Sequence, residues 1–370
     1  MLSRVWIRAV AEANHVEPCI FGKSMFDSLR DSLVVAEGEE STPGASTKHY
    51  DRQMVSFWED LEDSYRVILE RPGSSSHQHP SSSTIPMGRA RPFPSLGATA
   101  CPTTVKPLIK NSKKPHPALA VVGLILDPTG QYILLTRRPS YMRVFPGAWV
   151  LPGGGFDAGT DFSLEDALRR EVLEETGLTI HQTSIPVCIW ESVYPTDPNH
   201  PDPIKAHHLV VFLQGFASSR TTINPQSPPL SLTLQATEVE TALWLSVADF
   251  KMVRQKMKNT KDDRDKPLPA VPVIHAKETK DTTTTKTELM SLDTLVGIYP
   301  QPDTTCDGNT EQLQQHFCGI AQGSLFALEE LLLQRNRNKD GFFEEGQSSV
   351  VWSRPVASTK DFGPTGKSSL

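Results

Sequence analysis

The fold of this chain is decided by the stretch Leu151-Pro-Gly-Gly-Gly155 and by the helical pattern after it, which ends in Arg170-Glu-Val-Leu-Glu-Glu-Thr-Gly-Leu178. Ser163 is a preferred N-cap residue, and Gly177 lies where a left-handed residue would end the helix. The apolar residues between these two recur at steps of three and four and form one buried stripe, which comprises Leu164, Ala167, Leu168 and Val172. The sequence therefore predicts a short strand, a glycine loop and an amphipathic helix.

Acidic residues occupy the other side of this helix. Glu171, Glu174 and Glu175 are neighbours there, because residues three and four apart on a helix share one side. The three carboxylates repel one another, and a divalent cation among them would relieve that repulsion. Oxygen-rich sites of this kind suit Mg²⁺ or Mn²⁺. The carbonyl of Gly154 could complete the metal shell, and Arg170 is expected to orient Glu174.

The stretch resembles the signature of the Nudix hydrolases, enzymes that cleave nucleoside diphosphates linked to another moiety. That signature reads G-x5-E-x7-R-E-U-x-E-E-x-G-U, where U is aliphatic, and its second half is matched at every position from Arg170 to Leu178. The first half departs from it, because five residues separate Gly155 from Asp161, and eight rather than seven separate Asp161 from Arg170. The role of Asp161 is therefore left open.

The resemblance implies an α/β fold, an α/β/α sandwich around a mixed sheet, and hydrolysis of a diphosphate bond by water. It implies that the cofactor is Mg²⁺ or Mn²⁺ and that one carboxylate takes the proton of the attacking water. In the family this carboxylate lies either on the helix or on a downstream loop, where Glu238 and Glu240 are the candidates. The expected catalytic residues are Glu174, Glu171, Arg170, Glu238 and Glu240, and the expected metal ligands are Glu171, Glu174, Glu175 and Gly154.

Two further resemblances concern the substrate. The stretch from Leu134 to Gly154 resembles the coenzyme A diphosphatase signature in spacing, with departures at Pro139 and Leu151, and there Arg138 and Arg143 would grip phosphates. Residues 118–250 resemble an animal branch of the same family that is associated with nucleoside diphosphate derivatives and capped RNA ends. Trp149 is either a platform on which a base stacks or a core aromatic. The expected substrate is a nucleotide diphosphate, with coenzyme A, acyl-CoA and capped RNA ends as alternatives.

The rest of the chain is expected to be irregular around one core, because many of its 30 prolines and 23 glycines are clustered. Apolar spacing and composition predict a series of segments. These are a helical appendage at 1–71, a disordered linker at 72–116, the catalytic core at 117–257, a disordered insertion at 258–287, a helical segment packing on the core at 288–337 and a flexible tail at 338–370.

Charge and cysteine content exclude several classes of protein. A net charge of −6 provides no global basic field for nucleic acid, and five scattered cysteines indicate neither a disulfide framework nor a zinc site. No apolar run approaches the length of about 20 residues that a membrane helix needs. We expect a soluble, intracellular and cytoplasmic protein, with mitochondrial or peroxisomal locations as alternatives, no membrane contact and protein partners left open.

The plain alternative for the acids is a solvated helix surface. The alternative from another functional class is a non-catalytic nucleotide-binding or scaffold module. The strand, glycine loop and helix around the acids favour the enzyme.

Overall fold

The architecture is an extended mixed sheet with helices on both faces. The computed structural model describes residues 5–8, 16–19, 24–29, 50–60, 66–70, 72, 81–90, 116–142, 144–180, 185–194, 204–218, 232–258, 266–278, 283–297 and 319–340. The strands are β1 (Val5–Arg8), β2 (Val16–Pro18), β3 (Tyr50–Asp60), β4 (Arg66–Glu70), β5 (Ser83–Ala90), β6 (Ala118–Leu126), β7 (Tyr132–Arg137), β8 (Trp149–Val150), β9 (Gly153–Gly155), β10 (Ile185–Tyr194), β11 (Ala206–Phe216), β12 (Thr241–Ser246), β13 (Ala270–Glu278) and β14 (Thr283–Ser291).

All these strands belong to one sheet. Its order is β14-β13-β12-β7-β6-β11-β10-β5-β3-β4-β1-β2, with β8 paired to β7 and β9 paired to β6. The β6–β11 and β5–β10 pairs are parallel, whereas β6–β7 and β10–β11 are antiparallel. The helices are α1 (Met25–Leu29), α2 (Leu164–Thr176), α3 (Val247–Lys258) and α4 (Gln322–Asp340), and a 3-10 turn spans Leu292–Leu295.

The central strand β6 shows how the sheet separates two cores. Val121 and Ile125 belong to the core on the side of α2, and Leu124 and Leu126 belong to the core formed with α3 and α4. Because helices cover both faces, the strand reads as a continuous apolar run rather than an alternating one. The predicted α/β/α arrangement around a mixed sheet is therefore confirmed.

Helix α2 begins and ends as its sequence predicts. The Ser163 hydroxyl accepts a hydrogen bond from the Asp166 amide at the N-terminus. Gly177 at the C-terminus has φ 72° and donates its amide to Leu173 O. These caps satisfy backbone groups that a helix end leaves free. They fix the register of α2 and therefore the direction in which its acids point.

The predicted C-terminal helix also packs on the core, as α4. Leu325, Leu328 and Leu331 are buried against the sheet, and Leu332 packs beside them. The helix begins at Gln322, within the helical segment expected at 288–337, and residues 298–318 lie outside the described part. Among the described residues, no helix is long and apolar enough to cross a membrane.

The N-terminal region differs from the expected helical appendage. Its described residues form strands β1 to β4 and only one short helix, α1. Successive residues 55–58 of β3 are all buried, so the strand lacks the alternation that distinguishes a strand from a helix. Strand β5 lies within the expected linker at 72–116 and pairs with β10, so it joins the N-terminal strands to the central sheet.

The expected disordered insertion at 258–287 differs as well. Strand β13 pairs with β12, and β14 pairs with β13 along its whole length. The threonines at 283–285 begin β14, because β-branched residues favour extended backbone even where apolar periodicity is absent. The expected tail from 341 onward lies outside the described residues, and the segment boundaries as a set remain predictions.

Candidate metal and active site

The glycine loop meets helix α2 at very short distances. A Cβ on Gly154 would lie 2.5 Å from the carboxylate of Glu171, and one on Gly153 would lie 2.3 Å from Val121 O. Gly153 also has φ 146°, which side-chain-bearing residues rarely adopt. Glycine at these positions lets α2 sit directly on β9, with its acids against the loop.

Three carboxylates come together beside this loop. One oxygen from each of Glu171, Glu175 and Glu238 lies within 4.8 Å of the other two. Glu175 is 4% exposed, Glu171 is partly buried and Glu238 is exposed, so the group runs from the core to the surface. The Gly153 amide donates to Glu175 Oε2 at 3.2 Å.

The charges of this group are poorly compensated. Burial raises the pKa of Glu175 to about 8, and the negative charge of Glu171 adds to that rise. Burial also raises the pKa of Glu171, although a hydrogen bond from Arg170 partly offsets the effect. Crowded, buried carboxylates of this kind become favourable when a cation binds among them. The residues present therefore fit a hard divalent cation such as Mg²⁺ or Mn²⁺.

Arg170 is the hub of the surrounding hydrogen bonds. Its Nε and Nη2 donate to the two carboxylate oxygens of Asp161 at 2.9 and 2.8 Å, and Nη2 also donates to Gly155 O at 3.1 Å. Its Nη1 donates to Glu171 at 2.9 Å and to Glu174 at 3.3 Å. The expected contact with Glu174 is present, but the shorter bonds go to Asp161 and Glu171.

Asp161, whose role the sequence left open, is held by two hydrogen bonds from Arg170. Burial works to raise its pKa, but the hydrogen bonds from Arg170 and from the Asp157 amide outweigh this and lower the pKa below its usual value. The side chain thus stays ionised and holds the guanidinium in a two-pronged grip. Although Asp161 has a shorter side chain than Glu and one extra residue precedes Arg170, the carboxylate and the guanidinium still meet. An acid near this position of the motif was therefore the sequence signal for this contact.

Glu238 and Glu240, the two downstream candidates, lie in different surroundings. The segment 232–240 follows the end of α2, where the amides of Thr233 and Gln235 donate to Thr176 O and Glu175 O. That course brings Glu238 to the carboxylate group. Glu240 is instead next to Arg137, at 3.9 Å, and lies outside the group. The two acids could not be separated from the sequence, because the path of the loop decides between them.

The three expected substrate-binding residues also differ in placement. Arg138 is half-buried, donates its Nε to Val144 O at 3.0 Å and lowers the pKa of Glu175 through its charge, so it lies on the site side. Arg143 lies outside the described residues. The expectation that Trp149 binds substrate is wrong. This side chain is 1% exposed in the core beneath α4, where a substrate could not stack on it.

Tyr141 is a further residue at the site that the sequence analysis did not single out. Its hydroxyl lies 3.2 Å from Ala236 O and 3.1 Å from Thr237 O, immediately before Glu238. Its ring is nevertheless 70% exposed. No motif marks this residue, since the contact joins positions 95 and 96 residues apart in the chain.

Comparison with known proteins identifies the domain that carries this geometry. The family model described as the NUDIX domain matches residues 116–269. These residues are a Nudix domain. The match confirms the resemblance that the helix and glycine loop carry, and it ends before α4. The Nudix domain in this chain thus obtains part of the helical layer opposite α2 from residues outside the matched range.

Several curated relatives of this chain share one name. The protein of Danio rerio named m7GpppN-mRNA hydrolase NUDT17 is 39% identical over 137 residues, which are 36% of this chain and 43% of that protein. The protein of that name in Homo sapiens is 26% identical over 227 residues, or 57% of this chain and 67% of that protein. The chain spans less than half the length of the first three curated relatives that it matches.

A solved structure is also similar to part of this chain. The MutT protein from Methanosarcina mazei Go1 is 24% identical, covers 39% of this chain and 85% of its own, and has a TM-score of 0.27. The similarity of the chain to the NUDT17 branch agrees with the resemblance of residues 118–250 to an animal branch of the family.

Proposed function

We propose that this chain is a Nudix hydrolase that cleaves the diphosphate bond of a nucleoside diphosphate derivative by attack of water. The observation that carries the proposal is the group formed by Glu171, Glu175 and Glu238 where β9 meets α2. A protein without a ligand at this point would gain stability by replacing Glu175, because a buried carboxylate with a raised pKa opposes folding. Binding of a cation among the three carboxylates would stabilise their negative charges and so explain why Glu175 is buried there.

Mg²⁺ or Mn²⁺ is the cofactor that this donor set suits. Glu171 and Glu175 would hold it, and Glu174 and the carbonyl of Gly154 are proposed as further ligands. Glu174 is 53% exposed on the same side of α2, so its carboxylate is free to turn from Arg170. When bound, the cation would neutralise charge on the phosphate oxygens and lower the pKa of a bound water.

Glu238 is the residue that we propose as acceptor of the proton from the attacking water. It is exposed, so water reaches it, yet one of its oxygens lies within 4.8 Å of those of Glu171 and Glu175. Arg170 contributes by holding Glu171 in place from its own anchor on Asp161. Glu240 is not part of this proposal, because it lies outside the carboxylate group and forms an ion pair with Arg137 at 3.9 Å.

Phosphate binding is proposed for Arg138 and Arg143, which lie on the segment between β7 and β8. The forked guanidinium of arginine suits phosphate oxygens, and the charge of Arg138 already acts on Glu175. Trp149 has no part in this binding, because it is buried beneath α4.

The first substrate candidate is the capped end of an RNA, since the relatives in the NUDT17 branch are named m7GpppN-mRNA hydrolases. A net charge of −6 fits a protein that contacts the end of an RNA rather than its length. The second candidate is coenzyme A or acyl-CoA, which the spacing of Arg138, Arg143 and Gly147 favours. Both contain a phosphoanhydride bond on a nucleotide.

A substrate panel tests the proposal. Capped RNA, coenzyme A, acyl-CoA, ADP-ribose and a nucleoside triphosphate are incubated with Mg²⁺ or Mn²⁺ in water labelled with ¹⁸O, and mass spectrometry identifies the products. Hydrolysis at a phosphoanhydride bond places the label on the phosphorus that water attacked. We expect turnover that the variant Glu175→Gln loses. A folded, cation-binding protein that cleaves no member of the panel would instead be a nucleotide-binding module.

A further inference from the structure

We propose that Tyr141 is a positioning residue for Glu238, and that its hydroxyl holds the loop that carries this carboxylate. The inference rests on the proposed function, because it gives Glu238 a part in the same site. The Tyr141 hydroxyl lies within hydrogen-bond distance of Ala236 O and Thr237 O, at 3.2 and 3.1 Å. Its single proton serves either carbonyl, and both belong to the residues just before Glu238.

The loop from 232 to 240 is anchored at its beginning by helix α2. The Thr233 amide donates to Thr176 O at 2.9 Å, and the Gln235 amide donates to Glu175 O at 3.1 Å. These bonds use carbonyls that the end of a helix leaves without partners, so the first half of the loop is fixed by α2 itself. The turn that follows is closed by the Glu238 amide, which donates to Gln235 O at 2.9 Å.

Tyr141 acts on the peptide units inside this turn. Ala236 and Thr237 form its tip, and their carbonyls receive the hydroxyl from a different segment of the chain. Rotation of these peptide units would move the Glu238 side chain relative to Glu171 and Glu175. A hydrogen bond at the tip therefore limits the positions that the Glu238 carboxylate can take.

The segment that presents Tyr141 is itself held in shape. The Gly147 amide donates to Arg138 O at 3.1 Å, and the Arg138 amide donates to Ala148 O at 3.0 Å, which closes the base of this segment. The Arg138 side chain crosses the segment to Val144 O. The hydroxyl thus comes from a closed loop next to the site.

The exposure of the Tyr141 ring distinguishes a positioning role of this residue from a role in packing the core. Tyr141 is 70% exposed, so its ring buries little apolar surface and the fold gains little from it. The hydroxyl is the part of the residue with a defined partner. Its removal should change the order of the loop much more than the stability of the protein.

The variant Tyr141→Phe tests this assignment, with Tyr132→Phe as the matched control. Tyr132 lies at the opposite end of β7, and its ring packs against the core. For Tyr141→Phe we expect kcat to fall by about three- to tenfold, the worth of one exposed hydrogen bond. At saturating Mn²⁺ the KM for substrate and the Tm should stay at parental values, as should every property of Tyr132→Phe.

A double-mutant cycle identifies Glu238 as the group through which Tyr141 acts. In the background of Glu238→Gln, Tyr141→Phe should cause no further loss of kcat. Amide hydrogen exchange of residues 236–238 should be faster in Tyr141→Phe than in the parent protein. An equal loss in both backgrounds, or parental kcat and exchange in Tyr141→Phe, would overturn the assignment.

Binding of Mn²⁺ to the parent protein, measured without substrate, separates the two proposals. A parent that binds Mn²⁺ and turns over substrate, combined with an unchanged Tyr141→Phe, refutes the positioning role alone. A parent that binds no Mn²⁺ refutes the proposed function, and the positioning role fails with it.

Discussion

Two pairs of adjacent glutamates lie on opposite faces of the sheet, Glu174 and Glu175 on α2 and Glu329 and Glu330 on α4. The two pairs differ in how their charges are compensated. Glu330 on α4 is 3% exposed, and Arg52 donates to its two oxygens at 2.5 and 3.1 Å. Its neighbour Glu329 is contacted by Tyr50 and Arg254. Glu175 on α2 is similarly buried, but it faces Glu171 and Glu238 rather than a paired arginine.

The difference teaches that burial of a glutamate pair does not by itself indicate a site. On α4 each acid meets a cation or a hydroxyl, which is how buried charge is stabilised in a structural role. On α2 the guanidinium of Arg170 is shared among Asp161, Glu171 and Glu174, and Glu175 keeps a raised pKa. The uncompensated acid on α2 is therefore what distinguishes the proposed site from the paired acids on α4.

The largest expected effect is that of Glu175→Gln on activity. The amide keeps the shape of the side chain but removes charge from the cation site, so kcat should fall by about 10²- to 10³-fold. Steady-state kinetics on the best substrate of the panel measures the loss. Glu330→Gln is the matched control, and its kcat should stay within about threefold of the parent once folding is assured. Equal losses of kcat in both variants would contradict the proposed difference between the acids of α2 and those of α4.

The second effect concerns stability, where the variant on α4 rather than the variant on α2 should show the larger loss. Glu330→Gln should lower the free energy of unfolding by about 1–3 kcal/mol, because Arg52 loses its charged partner in a partly buried place. Urea denaturation of the cation-free protein measures this. In the same experiment Glu175→Gln should match or exceed the parent in stability. A Glu175→Gln protein less stable than Glu330→Gln would show that Glu175 has a structural role.

The third effect concerns the irregular half of the Nudix motif. Asp161→Asn keeps one acceptor for Arg170 but loses the charge, so kcat should fall by about tenfold and stability by about 1–2 kcal/mol. Asp161→Glu, which restores the residue type of the family, serves as the conservative control and should retain more activity than Asp161→Asn. An Asp161→Asn enzyme with parental kcat would show that Arg170 is held well enough by Gly155 and Glu171.

The parts of this molecule that the sequence reveals are those with local causes. The caps of α2 and its apolar stripe follow from residue types within one helix length, and the structure places them as predicted. Of its three acids, Glu171 and Glu175 lie together with Glu238, whereas Glu174 is 53% exposed and lies outside that group. Contacts between distant residues were beyond such reasoning. Trp149 is buried because α4 returns to cover it, and Glu238 rather than Glu240 reaches the site because of the course of one loop.

The N-terminal strands were missed for a related reason. Strand β3 is buried on both faces at residues 55–58, which removes the period of two from its sequence. Its partner β5 lies in a stretch rich in Ser and Pro whose composition resembles a linker. Pairing of β5 with β10 is a long-range event, so neither strand carries a local signal of belonging to the central sheet.

The measurement that tests the central claim most directly is the effect of Mn²⁺ on the stability of the parent, Glu175→Gln and Glu330→Gln. A cation that binds the folded state at about 100 times its Kd adds about 2.7 kcal/mol to the free energy of unfolding. We predict this gain for the parent and for Glu330→Gln, and little or none for Glu175→Gln. An equal gain in all three proteins, or none in the parent, would contradict the claim that the acids of α2 form a cation site.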